Sequence, residues 1–275
     1  MISRTEVVVA TYNKPELRLV LEGLLRQSVR DFDVVVADDG AGEEIASLVR
    51  EYQSLMPRLR HVWHEDLGFR KTRILNEAIR TSRADYFIFI DADCVPSPRF
   101  VEDHKDFARG GFAVAAKRVY LGPALSAKLM SGAVELDRLF WWPSFAWFTV
   151  TGRVHRPHHA WRLPMFVVNA KREVKKGLRG SNMAVWRADL ERVNGFDNGF
   201  VERNAGCDSD IEWRLLAAGC RVARMSGRGC VFHLHHPKAK PCPNSIARMN
   251  AKRAAGEVWA ADGLVPAADS NRIVA

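Results

Sequence analysis

The amino-acid sequence predicts an α/β protein in which a largely parallel sheet is flanked by helices. Apolar runs and helical repeats alternate along the first half of the chain, as in successive strand-helix units. Residues 86–90 form an unbroken β-branched and aromatic run, which is typical of a strand buried on both faces. Two of the apolar runs end in acids, one at Asp38 and Asp39 and the other at Asp91 and Asp93.

The elements follow in order from the spacing of apolar residues. Strands are predicted where β-branched residues run together, and helices where apolar residues recur every three or four positions. The predicted strands are residues 7–10, 32–37, 60–64, 86–90, 113–120 and 222–225. The predicted helices are residues 16–27, 43–52, 71–81, 96–112, 126–140 and 244–259.

Size, charge and cysteine usage limit the classes of function. A chain of 275 residues with 47% hydrophobic residues can bury a full core. The 41 Lys and Arg residues exceed the 32 Asp and Glu residues, and the net charge of +9 indicates an anionic partner: a nucleotide, a phospholipid surface, lipopolysaccharide or nucleic acid. Five cysteines without a Cys-x-x-Cys pair favour a reducing compartment. Since no signal peptide or bilayer-spanning run is recognised, we expect a cytoplasmic protein, peripheral at the inner face of the membrane.

The acids after the central strand are candidates for a metal site. In an extended chain, Asp91 and Asp93 point to the same side and offer hard oxygen ligands to one divalent cation. Because ligands gather at the carboxyl ends of parallel strands, Asp39 is expected on the same edge of the sheet. An isolated Asp-x-Asp more often merely caps a strand and begins a turn, so the neighbouring motifs decide between these interpretations.

A cationic stretch lies at the predicted start of the third helix. Arg70, Lys71 and Arg73 follow Gly68, and a helix amino terminus together with guanidinium groups favours a diphosphate. The chain contains neither Gly-x-x-x-x-Gly-Lys-Ser/Thr nor Gly-x-Gly-x-x-Gly. Walker-type ATP hydrolysis and dinucleotide redox chemistry therefore lack their usual motifs.

Four motifs together resemble those of family 2 glycosyltransferases with the GT-A fold. They are, in order, Val-Val-Val-Ala-Thr-Tyr-Asn at 7–13, Asp-Asp-Gly at 38–40, Gly-Phe-Arg at 68–70 with Asn76, and Asp-Ala-Asp at 91–93. The resemblance implies a GT-A mixed sheet flanked by helices and a nucleoside-diphosphate sugar donor, with uridine as the base.

The resemblance also implies roles for individual residues. Nucleotide-binding roles fall on Ala10, Tyr12, Asp39 and Asp91, and the metal, Mn²⁺ or Mg²⁺, falls on Asp93. Leu75 stands where the family often has an arginine, so Arg70 or Arg73 is expected to supply the phosphate contact.

The second half resembles the acceptor side of the same enzymes, in particular a galactosyltransferase-like carboxyl-terminal module. In that module a Gly-rich turn precedes Glu-Asp at a helix start, and the Asp is the catalytic base. The resemblance places the base at Asp208 and puts Cys207 where the Glu usually stands. Further acceptor-side or supporting candidates are Asn182, Cys207, Asp210 and His235. Without these motifs, Asp208 and Asp210 would be interpreted simply as helix-capping acids.

Histidines near the end of the second half suggest a further metal ligand. In metal-dependent relatives a histidine in a motif of this shape completes the coordination of the cation, which implies His233. His235 would share its face in an extended chain. A zinc site formed with Cys230 and Cys242 is an alternative, although the spacing matches no common zinc pattern.

Residues 139–166, called here the aromatic-basic segment, contain four of the eight tryptophans interleaved with Arg and His. Such a composition can stack on sugars, enter a lipid headgroup layer or bind single-stranded nucleic acid. It can also form a packed aromatic subdomain with solvated charges. Among the functional alternatives, contact with a membrane or a lipid-linked acceptor is favoured, and no nucleic acid is expected.

These features predict a metal-dependent, inverting glycosyltransferase that acts on a hydroxyl of a saccharide or lipid-linked acceptor, in cell-surface polysaccharide or lipopolysaccharide synthesis. Residues 1–120 are expected to bind the donor, residues 121–236 to form the acceptor-binding and catalytic half, and residues 237–275 to form a basic helix and tail. Two alternatives are a sugar nucleotidyltransferase, which would carry a Gly-rich loop after the first strand, and a non-catalytic module that binds anionic polymers or nucleotides.

Overall fold

Twelve strands form two sheets in the computed structural model, which describes residues 2–40, 42–169, 173–174, 176–202, 206–237 and 242–266. The strands are β1 (Thr5–Thr11), β2 (Asp33–Asp38), β3 (Leu59–Trp63), β4 (Tyr86–Asp91), β5 (Cys94–Pro96), β6 (Phe112–Ala115), β7 (Arg118–Leu121), β8 (Val154–His155), β9 (Glu173–Val174), β10 (Met183–Trp186), β11 (Arg221–Arg224) and β12 (Val231–His233). The large sheet has the order β3-β2-β1-β4-β10-β6-β11-β9, and the small one has the order β5-β12-β7-β8.

Helices connect and cover these strands. They are α1 (Leu17–Leu25), α2 (Glu43–Gln53), α3 (Lys71–Arg80), α4 (Phe100–Phe107), α5 (Pro123–Met130), α6 (Leu136–Phe140), α7 (Trp142–Val150), α8 (Met165–Asn169), α9 (Arg187–Arg192), α10 (Cys207–Ala217) and α11 (Pro243–Ala255), with a 3-10 helix at Pro157–Ala160. Strands β1 to β4 are parallel, whereas β10 runs antiparallel to both β4 and β6. The predicted mixed sheet flanked by helices is therefore confirmed.

Strand β4 lies near the middle of the large sheet and is buried on both faces, as its sequence predicts. Tyr86, Ile88 and Ile90 pack into the core on one face of the sheet, while Phe87 and Phe89 pack into the core on the other. All five side chains are at most 1% exposed. The strand alternates between two cores because successive side chains point to opposite faces.

The predicted strand over residues 113–120 is wrong as a single element. The chain leaves the large sheet after β6 and joins the small sheet at β7. Asn182 fixes this crossing, because its backbone carbonyl accepts from the Ala116 N–H at 3.2 Å and its side-chain amide donates to the Lys117 carbonyl at 2.8 Å. No local sequence pattern predicts the break between β6 and β7, since Asn182 lies 65 residues beyond Lys117 in the chain.

Two predicted helices are also shorter or divided. The helix over residues 126–140 is split into α5 and α6 around Gly132, whose φ of +74° is a conformation that glycine adopts without strain. The helix over residues 96–112 is reduced to α4, because Pro96 ends β5 and Phe112 begins β6. At the carboxyl terminus the predicted helix is observed as α11, while most of the predicted tail, from residue 267 onward, lies outside the described residues.

The aromatic-basic segment is attached to the body of the protein but leaves large apolar side chains exposed. Arg162 donates to the buried Asp103 at 2.8 Å, which ties the segment to α4. Trp142 and Phe166 are 77% and 76% exposed. Within the described residues, no helix is long and apolar enough to cross a bilayer.

Candidate functional site

The site lies where the parallel strands end. Ala10 is paired with Asp91 across β1 and β4, and the Ala92 N–H donates to the Ala10 carbonyl at 2.9 Å. On the other side of β1, the Asp39 N–H donates to the Thr11 carbonyl at 3.0 Å. The ends of three neighbouring strands therefore place Ala10, Asp39 and Asp91 along one edge of the sheet.

Asp39 is held by groups that the sequence places far from it. Its carboxylate accepts from the Arg70 backbone N–H at 2.9 Å and contacts Nε2 of His64 at 2.7 Å. Burial raises the pKa of Asp39, and His64 and the Arg70 N–H partly oppose this. Asp38 instead closes the turn, because its Oδ1 accepts from the Gly40 N–H at 3.0 Å.

Tyr12 borders the same edge. Its hydroxyl donates to Oδ2 of Asp66 at 3.2 Å, and Oδ1 of Asp66 accepts from the Gly68 N–H at 3.0 Å. Gly68 has a φ of +87°, so this tight turn depends on a glycine. The turn thus joins the loop after β1 to the loop that leads into α3.

Of the three cations at the start of α3, Lys71 is the one that the structure brings to the acids. Its ammonium pairs with Asp91. The Arg70 guanidinium donates to the Glu65 carbonyl, and Arg73 pairs with Asp262 at 3.4 Å. The structure therefore does not place the Arg70 and Arg73 side chains on Asp91, because consecutive helical residues point in different directions.

Asp93 is the most heavily engaged acid of the site. Lys14 pairs with it, and the Nε2 atoms of His233 and His236 lie 3.6 Å and 3.5 Å from its oxygens. Burial alone would raise the pKa of Asp93, but the charges of Lys14 and the nearby histidines hold it below its usual value. Ligand atoms of Asp93, Cys94 and His233 lie within 4.8 Å of one another, so this donor set fits one metal ion.

The histidine partners differ from the sequence expectation in one respect. His235 was expected to share the face of His233 in an extended chain, but β12 ends at His233. The His236 ring instead lies 5.0 Å from the His233 ring, centroid to centroid. His235 is exposed, and its backbone N–H donates to Ser126 at 2.9 Å.

Asp208 lies on the same edge of the sheet as the donor-side acids. Burial disfavours the charged form of Lys71, but the charges of Asp91 and Asp208 raise its pKa strongly, so the ammonium interacts with acids from both halves of the chain. A Cβ placed on Gly180 would lie 2.8 Å from Oδ1 of Asp208. Burial and the charge of Asp208 raise the pKa of Cys207 to about 12, so the thiol is neutral and does not replace a carboxylate.

Two predicted acceptor-side residues are buried supports. Asp210 is 0% exposed and pairs with Arg214 at 2.8 Å, so it faces the interior and not an acceptor. Asn182 is also fully buried, and its side chain donates to the carbonyls of Lys117 and Gly229 at 2.8 Å each. Helical periodicity alone does not predict that Asp210 points inward, because its partner Arg214 is itself held by the carbonyls of Val193 and Gly195, outside the helix.

Several residues of the site were not predicted from the sequence. They are Lys14, His64, Lys71, Cys94, Gly180 and His236. Lys71 had a detectable signal, since it belongs to the cationic stretch at the start of α3. The others lie in turns or strand ends whose side-chain directions depend on tertiary contacts.

Two family models match the chain. Glycosyl transferase family 2 matches residues 6–149, and the N-terminal domain of galactosyltransferase matches residues 167–237. Chondroitin synthase from Escherichia coli is 25% identical over 254 residues, which cover 86% of this chain and 35% of that protein. Hyaluronan synthase from Pasteurella multocida is 30% identical over 100 residues, covering 36% and 10%. The chain thus spans about a third of the length of the first relative and a tenth of the second.

Solved structures share the fold at low sequence identity. GalNAc-T7 with UDP, GalNAc and Mn²⁺ superposes with a TM-score of 0.63 at 12% identity, covering 91% of this chain and 48% of that one. The mannosyltransferase PcManGT from Pyrobaculum calidifontis, in complex with GDP-Man and Mn²⁺, gives 0.55 at 20% identity, covering 86% and 58%. S. aureus TarS 1-349 with UDP-GlcNAc gives 0.60 at 15% identity, covering 92% and 66%. These similarities confirm the predicted GT-A fold class.

Proposed function

Because the chain belongs to glycosyl transferase family 2, we propose that it is a metal-dependent glycosyltransferase. It moves a sugar, with inversion, from a nucleoside-diphosphate sugar to a hydroxyl of a saccharide or lipid-linked acceptor. The observation that carries this proposal is the Lys71 ammonium, which pairs with the donor-side Asp91 and interacts with the acceptor-side Asp208. Sugar transfer requires the group that binds the donor and the group that accepts the proton of the acceptor hydroxyl to lie in one site.

The donor nucleotide would bind along the edge formed by Ala10, Tyr12, Asp39 and Asp91. Asp39 is fixed by His64 and the Arg70 N–H, so its carboxylate is oriented before a ligand arrives. A carboxylate can accept from the ring N–H that uracil presents, which is why a uridine nucleotide is proposed. The Tyr12 ring beside it offers a surface on which a base can stack.

The metal, Mn²⁺ or Mg²⁺, would be held by Asp93 and His233, with Cys94 close to both. Bound there, it would stabilise the negative charge of the departing diphosphate. Lys14 already places one positive charge on Asp93, which indicates that this position favours a cation.

Asp208 is proposed as the general base. Transfer with inversion requires a group that accepts the proton of the incoming hydroxyl, and a carboxylate at the active edge can do so. Its position against Gly180 leaves no space there for even a methyl group, so the carboxylate is closely positioned. Residues 1–120 would thus bind the donor, while residues 121–236 would supply the base and the acceptor surface.

The aromatic-basic segment is proposed to contact a lipid surface at the inner face of the membrane, which would place the enzyme in cell-surface polysaccharide or lipopolysaccharide synthesis. Its exposed apolar side chains include Trp142, Trp147, Trp161 and Phe166. Large apolar groups with nearby cations are typical of surfaces that bind the headgroup layer. Co-sedimentation with anionic vesicles should fall strongly in the Trp142→Ser/Trp147→Ser double variant, and unchanged sedimentation would refute membrane contact.

The proposed activity is tested by a thermal-shift screen of nucleoside diphosphates and their sugars, with Mn²⁺ or with a chelator. A uridine diphosphate should raise the melting temperature only with metal, and Asp93→Asn should abolish the shift. Asp31→Asn is a matched control, because Asp31 is an exposed acid that also pairs with a lysine. A shift that is indifferent to chelator, or retained in Asp93→Asn, would contradict the proposal.

A further inference from the structure

Four cations gather near the candidate metal site without an acidic partner. They are Lys117, Arg118, Arg156 and Arg224, called here the basic cluster. Among the residues that the structure describes, no carboxylate lies within 4.0 Å of any of these four side chains. Within that described part of the chain, no carboxylate in direct contact therefore compensates the charge of the basic cluster.

Two members of the basic cluster converge on one aromatic ring. The guanidinium carbons of Arg118 and Arg156 lie 5.4 Å and 5.5 Å from the centroid of the Tyr120 ring. Stacking on an aromatic face holds a guanidinium in place while its N–H groups stay available at the edge. The pair therefore presents oriented donors that suit an oxyanion.

The basic cluster is contiguous with the candidate active site. The Tyr120 ring lies edge-to-face against the His233 ring, with centroids 5.4 Å apart. The Arg118 guanidinium also donates to the Ser181 hydroxyl. Ser181 follows Gly180, which contacts Asp208, so the cluster borders both the proposed metal ligand and the proposed base.

The basic cluster is electrostatically unfavourable, because its like charges repel one another. Burial and the charges of Arg224, Arg156 and Arg118 lower the pKa of Lys117. Arg156 also has a φ of +58°, a left-handed conformation that is uncommon for residues other than glycine. Strained backbone and uncompensated like charges are features that collect at ligand sites, where binding offsets them.

We propose that the basic cluster binds an oxyanion, a carboxylate or a phosphate, on the acceptor saccharide. This inference rests on the proposed function, because it assigns the chemical class of the acceptor for that same site. The enzyme would therefore prefer an acidic saccharide to a neutral one of the same size, through Arg118 and Arg156.

The position of the basic cluster indicates that its ligand is the acceptor and not the diphosphate of the donor. The donor-side acids have their own cations, Lys71 on Asp91 and Lys14 on Asp93. The basic cluster instead is attached to Ser181 on the acceptor side and continues toward the aromatic-basic segment through Arg156. An acceptor entering past this segment would meet the cluster before it reached Asp208.

The test measures binding of defined saccharides to the full chain by calorimetry, with UDP and Mn²⁺ present. One pair of probes is a galacturonic acid trimer and its carboxyl-reduced galactose counterpart, and the other pair is mannose 6-phosphate and mannose. The variants are Arg118→Gln, Arg156→Gln and the double variant. Arg109→Gln is the matched control, because Arg109 also stacks on an aromatic ring, at 5.2 Å from the Phe112 centroid, but at the opposite end of β6.

At least one acidic probe should bind more than tenfold more tightly than its neutral partner, and the double variant should lose that preference while Arg109→Gln retains it. Equal affinity for acidic and neutral probes in the unaltered chain would overturn the proposal. It would also be overturned if the double variant lost metal-dependent UDP binding but kept its preference for acidic sugars, since the cluster would then serve the donor. Failure of the proposed function is separately visible as absence of metal-dependent nucleotide binding in the unaltered chain.

Discussion

The ammonium of Lys71 pairs with the carboxylate of Asp91 and also interacts with Asp208, so a single cation links acids that are 117 residues apart in sequence. Lys71→Met would leave the two carboxylates to repel each other without compensation. We expect the rate of sugar transfer, or of donor hydrolysis in an assay without acceptor, to fall about 100-fold. The rate is measured by release of the nucleoside diphosphate.

Lys128→Met provides the comparison for this variant, because Lys128 is an exposed lysine of α5. It should leave the rate unchanged. Equal rates for Lys71→Met and the unaltered chain, with both folded, would show that Lys71 has no part in the reaction.

A second prediction concerns the close contact between Gly180 and Asp208. The backbone of Gly180 does not require glycine, but a methyl group there would lie 2.8 Å from Oδ1 of Asp208 and displace the carboxylate. Gly180→Ala should therefore lower the transfer rate at least tenfold while metal-dependent nucleotide binding is retained. Gly110→Ala is the control, because a Cβ on Gly110 meets nothing within 4 Å. A normal rate in Gly180→Ala would refute the proposed position of the base.

A third prediction concerns competition for Asp93. Lys14 occupies the carboxylate that is proposed to bind the metal, so a cation must displace it. Without nucleotide, Lys14→Met should bind Mn²⁺ roughly two- to fivefold more tightly, as expected for a partly exposed ion pair. Electron paramagnetic resonance titration of free Mn²⁺ measures this, with Lys105→Met, which removes the partner of Asp31, as control. Weaker Mn²⁺ binding in Lys14→Met would contradict the competition.

The fourth prediction is a loss of stability in acid caused by His104. This ring is fully buried, contacts Asn182 Oδ1 at 3.1 Å, and burial lowers its pKa to about 4. In the unfolded chain its pKa is about 6.5, so as the pH falls from 6.5 to 4 the unfolded state takes up the proton first. Stability that is fully present above pH 6.5 is lost over this interval, by about 3 kcal/mol.

Urea unfolding at pH 7 and pH 4.5 measures that loss. His104→Gln removes the titrating ring, so its stability should change less between the two pH values than that of the unaltered chain. His158→Gln is the comparison, because His158 is exposed. If His104→Gln and the unaltered chain lost stability equally, His104 would not be the cause.

Features carried by local pattern were predictable from the sequence. The run at β4 and the acids after it define a buried strand and its carboxyl end, and the ordered motifs identified both the family and the GT-A fold. Features that depend on the direction of a side chain were harder to predict from the sequence. Each of the three cations at the start of α3 carries one positive charge, so the sequence does not distinguish them. Of Arg70, Lys71 and Arg73, Lys71 is the one that reaches Asp91. The single strand predicted over residues 113–120 failed because the contact that divides it comes from Asn182.

The sequence by itself determined the alternation of strands and helices, the edge at which acids collect and the family to which the chain belongs. The tertiary structure decided which charged groups meet: Lys14 and His236 at Asp93, Lys71 at Asp91 with the charge of Asp208 nearby, and Asp210 in the interior. The physical reason is that strand and helix patterns depend on neighbours in the chain. The partner of a charged side chain instead depends on which distant loops the packed sheets bring to the same edge.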